Sequence, residues 1–269
     1  MRIVRSGIRK LVRRPATFVT FGLLIGLLAL IFLAVGATVR QTPDAEARAQ
    51  TLLLLTFPGA YALVLSFILG LGGLFAMVFG AAIAGSEWSW GTLKTAVARG
   101  ESRWRYQIGS FVAIAIMVGV GLVVAFVVGV IVAVIAAGIA GVATDGVSDS
   151  KTLQTLPELL ARGWLALAEA CAIGFAIATV ARSQLAGIGV GIAVYFGEQF
   201  ASIFLPDIVQ YLPFNAANAV VQSAATSSTQ GAQLVVRLEP NVALLVVSAW
   251  LLGSLIVAAL FTERAEITG

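Results

Sequence analysis

Long apolar runs separated by short polar stretches organise this chain. Residues 18–39, 59–85, 108–142, 158–181, 185–205 and 242–261 are mostly apolar, and about 20 such residues in a helix cross the roughly 30 Å hydrocarbon layer of a bilayer. The pattern predicts six membrane helices in a single all-α domain. Run 108–142 exceeds what a crossing needs, so its helix is tilted or reaches beyond the bilayer. Run 158–181 opens after Pro157 and carries Arg162, Trp164 and, near its middle, Glu169. The connection Arg182-Ser183-Gln184 is too short for anything but an antiparallel helical hairpin. Run 185–205 therefore returns at once, bearing Gly187, Gly189 and Gly191, small residues that let helices approach closely.

The polar stretches are equally patterned. In residues 2–14, Arg2, Arg5, Arg9 and Arg13 recur at helical spacing opposite Ile3, Val4, Ile8, Leu11 and Val12. That is an amphipathic helix lying on the inner leaflet, an interfacial element over about residues 1–16 that Pro15 ends. A signal peptide is disfavoured, because the apolar run after it is too long and no Ala-x-Ala-like site follows at Arg40. Residues 40–58 hold both charge signs and two prolines, and 144–155 form a polar exterior loop with Asp145 and Asp149. Residues 206–240 mix apolar positions with Asn and Gln. They read as one or two short helices dipping into the outer leaflet, or else as a surface-lying amphipathic loop.

Composition narrows the class. With 59% hydrophobic and 11% charged residues and a mean hydropathy of +0.99, the chain lies far from soluble domains, of which about 25% is charged. The net charge of +4 comes from basic residues beside apolar runs, where inside-positive topology and anionic lipid account for it without nucleic acid. Twelve Lys and Arg fall on one side of the predicted topology (Arg2, Arg5, Arg9, Lys10, Arg13, Arg14, Lys94, Arg99, Arg103, Arg105, Arg182 and Arg264) and five on the other (Arg40, Arg48, Lys151, Arg162 and Arg237). Both termini are therefore expected in the cytoplasm. With no histidine, His triads, His metal sites and His proton relays are excluded, and the lone Cys171 forms no intrachain disulfide.

One interruption is denser than the rest. Glu87 ends an apolar run, Trp88 and Trp90 follow, then Gly91, Thr92, Leu93 and Lys94, and a basic cluster at Arg99, Arg103 and Arg105. The composition suits an interfacial helix over about 86–100 with a turn at Gly100; a merely solvated basic loop is the alternative. The order Glu87-x-x-x-Gly91-Thr92-Leu93 followed by basic residues resembles the loop between the second and third helices of ABC-2 type permeases, the membrane subunits of ABC exporters. Where many members carry proline near position 100, this chain has Arg99-Gly100-Glu101.

The resemblance implies a multi-pass permease of a bacterial or archaeal cytoplasmic membrane. It further implies a homodimer served by two copies of an ATPase subunit that holds the ATP and Mg, with no cofactor in this chain. Residues Glu87, Trp88, Trp90, Gly91, Thr92, Leu93, Lys94, Arg99 and Arg103 would couple that ATPase to export of an amphipathic or hydrophobic solute. It also implies a re-entrant hairpin before the last span, turning near Tyr211-Leu212-Pro213-Phe214-Asn215. The chain itself has no Walker-A loop, since none of Lys10, Lys94 and Lys151 follows a glycine.

An ion-gradient exporter is the alternative, and a non-transporting structural or sensory membrane protein a further one. For the ion gradient, Glu169 and Glu198 are the candidates, because a carboxylate within a span is costly unless protonated, paired or wetted. With Gly187 and Gly191 they are the candidates for the translocation path. A protonated or hydrogen-bonded helix contact is the plainer reading of both acids. An enzyme is disfavoured, because no lysine lies in a span to activate a nucleophile and no catalytic pairing is visible.

Overall fold

The computed structural model describes residues 2–225 and 238–264, and in the described part no strand occurs. Residues 226–237, within the expected re-entrant segment and including Arg237, and the tail 265–269 lie outside the described residues. Among the described residues eleven α-helices follow in order: α1 Arg2–Val12, α2 Pro15–Thr38, α3 Ala45–Leu55, α4 Gly59–Ser89, α5 Thr92–Ala98, α6 Arg103–Ala140, α7 Ser150–Ala181, α8 Gln184–Ala201, α9 Pro206–Val209, α10 Pro213–Ala225 and α11 Pro240–Arg264. Five of them, α2, α4, α6, α7 and α11, are long and apolar enough to cross a membrane. The expected fifth run, 185–205, corresponds to α8, whose 18 residues end near Glu198 and Gln199, and α8 is not among those five.

The bundle is built around α7. Of its apolar window 72% is buried, against 17% for α2 and 11% for α11. The cause lies in its sequence: from Ala166 to Gly174 small residues alternate with a few larger ones, so neighbours can close in on every side. Helix α4 packs against it most extensively. There a Cβ on Gly80 would collide with the Cys171 carbonyl, and one on Gly174 with the Met77 carbonyl. The two backbones touch reciprocally through glycine.

Two departures from the pattern-based expectation have a capping aspartate as their cause. Helix α7 starts at Ser150, not after Pro157, because Asp149 caps it by accepting from the Thr152 amide at 3.0 Å. Pro157 sits inside the helix, where its missing N–H forfeits one backbone bond. Likewise α3 fills part of the 40–58 connection, capped by Asp44, which accepts from the Glu46 amide at 2.9 Å. Both caps are local signals that the apolar pattern alone overlooks.

Gly80→Val should separate α4 from α7, since the obstructing atom is backbone. The expected loss is about 1–3 kcal/mol, read as a lower melting temperature of the purified protein in detergent. Gly26→Ala, with open space beside it, should leave the melting temperature nearly unchanged.

Candidate functional site

The dense polar interruption folds as three parts. Helix α4 runs on through Ser89, Gly91 turns the chain at φ +65°, and α5 occupies only Thr92–Ala98. Gly100, at φ +87°, turns it again into α6. Both angles favour glycine. The expected interfacial helix over 86–100 is thus a seven-residue helix preceded by the end of α4.

Glu87 is the centre of this region, with only 3% of its surface exposed. Its carboxylate accepts hydrogen bonds from Lys10 Nζ, Thr92 Oγ1 and Tyr106 Oη. One carboxylate thereby joins α1, α4, α5 and α6. Withdrawing it from water costs several kcal/mol, while hydrogen bonds to a charged group contribute about 1.5–3 kcal/mol each. Lys10 is a third exposed, so its Coulombic share is screened. These opposing contributions come close to cancelling, and the node's main effect is to fix geometry.

Arginines brace the flanking tryptophans. Arg14 Nη1 donates to Ser86 Oγ at 2.8 Å while its guanidinium lies 4.6 Å from the Trp90 ring centroid. Burial pushes the Arg14 guanidinium below its ordinary pKa, against the pull of nearby Glu87. Arg182, in the αL residue that closes α7, lies over Trp88 at 5.4 Å. The end of α4 also touches the α7–α8 turn directly, since a Cβ on Gly85 would strike the Gln184 backbone.

The predicted coupling residues therefore divide. Glu87 and Leu93 face inward, whereas Trp90, Lys94 and Arg99 are exposed. Arg103 Nη1 donates to the Glu263 carbonyl at 2.9 Å, which ties the start of α6 to the end of α11. Lys10, Arg14, Tyr106 and Arg182 were not legible as members of this cluster. Their partners are remote in sequence, as Lys10 is from Glu87 by 77 positions, and no local spacing encodes such contacts.

A second pair of acids lies deeper. In α8 the buried residues are Gly187, Gly191 and Glu198, which share one face. Gly187 meets Ala178 of α7, and Gly191 meets the Met77 sulfur of α4. The Glu198 carboxylate accepts from the Asn215 amide at 2.5 Å, the Asn215 Nδ2 at 2.9 Å and the Phe214 amide at 3.3 Å. These amides belong to the first turn of α10, whose N–H groups have no partner within the helix. Glu198 thus caps another helix from a distance, by accepting hydrogen bonds from its first-turn amides. Glu169 is fully buried, and neither carboxylate oxygen has a hydrogen-bond partner. Among the described residues no three of His, Cys, Asp and Glu come together as metal ligands.

An all-helical fold with five apolar helices long enough to cross a bilayer defines a multi-pass membrane protein. The chain belongs to the family described as protein of unknown function (DUF2705), whose model matches residues 55–268, from the end of α3 onward. No curated protein matches it.

Glu198→Leu should leave the first amides of α10 without an acceptor. The expected cost is about 2 kcal/mol or more, read in denaturant titration of the micelle-bound protein by circular dichroism. Glu198→Gln keeps one acceptor oxygen and should cost less than half as much.

Proposed function

We propose that the chain is the permease subunit of an ATP-driven exporter of the kind that ABC-2 permeases exemplify, moving an amphipathic or hydrophobic solute. The observation that carries this reading is the Glu87 node. A short helix, α5, with Lys94 exposed, is joined through Thr92 to the ends of three other helices by one buried carboxylate. Force applied to α5 would reach α4 and α6 without slack. That is what a docking element for a separate ATPase requires.

Helix ends support six crossings. Helix α7 ends beside Trp88, at the node, and α11 ends beside Arg103, at the same end of the bundle. A helix of 25 residues is about 37 Å long, so α11 begins at the opposite end. Between α7 and α11 the chain must cross once, and α8 with α10 supplies the length. In this reading α10, starting beside Glu198 inside the bundle, belongs to the re-entrant segment. The exposed Arg5, Arg9, Arg13, Arg99 and Arg105 all lie on elements at the node end, which the positive-inside rule puts in the cytoplasm together with both termini. The permease works as a homodimer with two ATPase subunits.

An ion-gradient exporter is the second reading, and Glu169 is the observation that favours it. A fully buried carboxyl group without a partner is what a proton-carrying site needs.

The test is co-expression with the Walker-A ATPase encoded nearest the gene, followed by reconstitution in proteoliposomes. The permease should raise ATPase turnover, and Glu87→Ala should insert normally yet lose about tenfold of that stimulation. Wild-type stimulation in the variant would refute the coupling role. No ATPase dependence, together with solute export driven by a pH gradient and abolished by Glu169→Gln, would establish the second reading.

A further inference from the structure

Beside the node, on the outer side of α1 and α6, lies an open groove of about 530 Å³, within the roughly 300–1,000 Å³ range of small-molecule sites. Ile3 and Val4 of α1 and Ile108, Gly109 and Val112 of α6 form its apolar walls, with Glu101, Trp104 and Arg105 at its mouth. Its floor is tight, because Ile3 packs where a Gly109 side chain would be. Ile108 and Val112 are partly exposed and begin a stripe that continues along α6 through Ile116, Val120, Val127 and Ile131. A stripe of that kind on a spanning helix faces lipid tails.

The mouth carries both charge signs. Arg105 stacks loosely on Trp104, 6.0 Å from the ring centroid, and both Glu101 and Arg105 are exposed. Neither is ion-paired among the described residues. Ser102 makes no side-chain cap bond at the start of α6, so the first-turn amides beside Arg105 add to its attraction for an anion. Tryptophan is the side chain that settles at headgroup depth.

We propose that this groove binds one aminophospholipid of the surrounding leaflet, with its phosphate on Arg105, its ammonium on Glu101 and an acyl chain along Ile108 and Val112. A purely anionic lipid would satisfy Arg105 but meet repulsion from Glu101. A choline headgroup would bring the positive charge but no N–H to donate to the carboxylate. The site needs only membrane insertion and does not depend on transport or on an ATPase.

The test uses the full chain in nanodiscs with equal parts of phosphatidylethanolamine, phosphatidylcholine and phosphatidylglycerol, released for native mass spectrometry. Retained phosphatidylethanolamine should exceed each of the others by about fivefold, the scale of one exposed charged contact. Glu101→Gln should erase the preference over phosphatidylglycerol, and Arg105→Gln should weaken retention of all three. Both positions are exposed, and unchanged circular dichroism would verify folding. Equal retention of phosphatidylethanolamine and phosphatidylcholine, preference for phosphatidylglycerol, or an unaltered profile in Glu101→Gln would overturn the proposal.

Discussion

A carboxylate withdrawn from water at the end of a membrane helix must find partners, and this requirement at Glu87 shapes one end of the molecule. Its three donors come from three different helices. None of them is a sequence neighbour on α4 itself. Helix α1, the short α5 and the start of α6 are tied together because each supplies a hydrogen to the same group. Removing the carboxylate would leave Lys10 and Tyr106 facing a partly dry site with no acceptor.

The same solution appears at Glu198, with backbone in place of side chains. There the acid answers the unsatisfied amides of α10, a debt that a helix starting inside an apolar bundle cannot leave open. Glu169 has no such answer among its surroundings. Three buried acids thus have three different fates: bridged to side chains, capping a helix, and left without a hydrogen-bond partner. The last lies on α7, the helix around which the others pack.

Much of the bundle is legible in the sequence because the bilayer imposes one dominant rule. Apolar length alone marks α2, α4, α6, α7 and α11. Spacing in α8 also puts Gly187, Gly191 and Glu198 on one face, the face that is buried. Four features escape the pattern. The early start of α7 and the helix α3 depend on single capping aspartates, Asp149 and Asp44, within stretches that otherwise read as loops. The centrality of α7 depends on small side chains, which hydropathy does not distinguish from large ones. The partners of Glu87 depend on tertiary proximity between positions as distant as 10 and 87; the basic pattern of α1 gives no sign that Lys10 turns toward the bundle while Arg9 stays exposed.

The central claim is that one carboxylate holds α5 against the spans. Hydrogen–deuterium exchange of wild type and Glu87→Gln in the same nanodiscs measures it directly, because exchange reports local opening segment by segment. The account predicts faster exchange in the variant at residues 92–98 and in α1, with the buried middle of α7 unchanged. Unaltered protection of residues 92–98 in Glu87→Gln would contradict it.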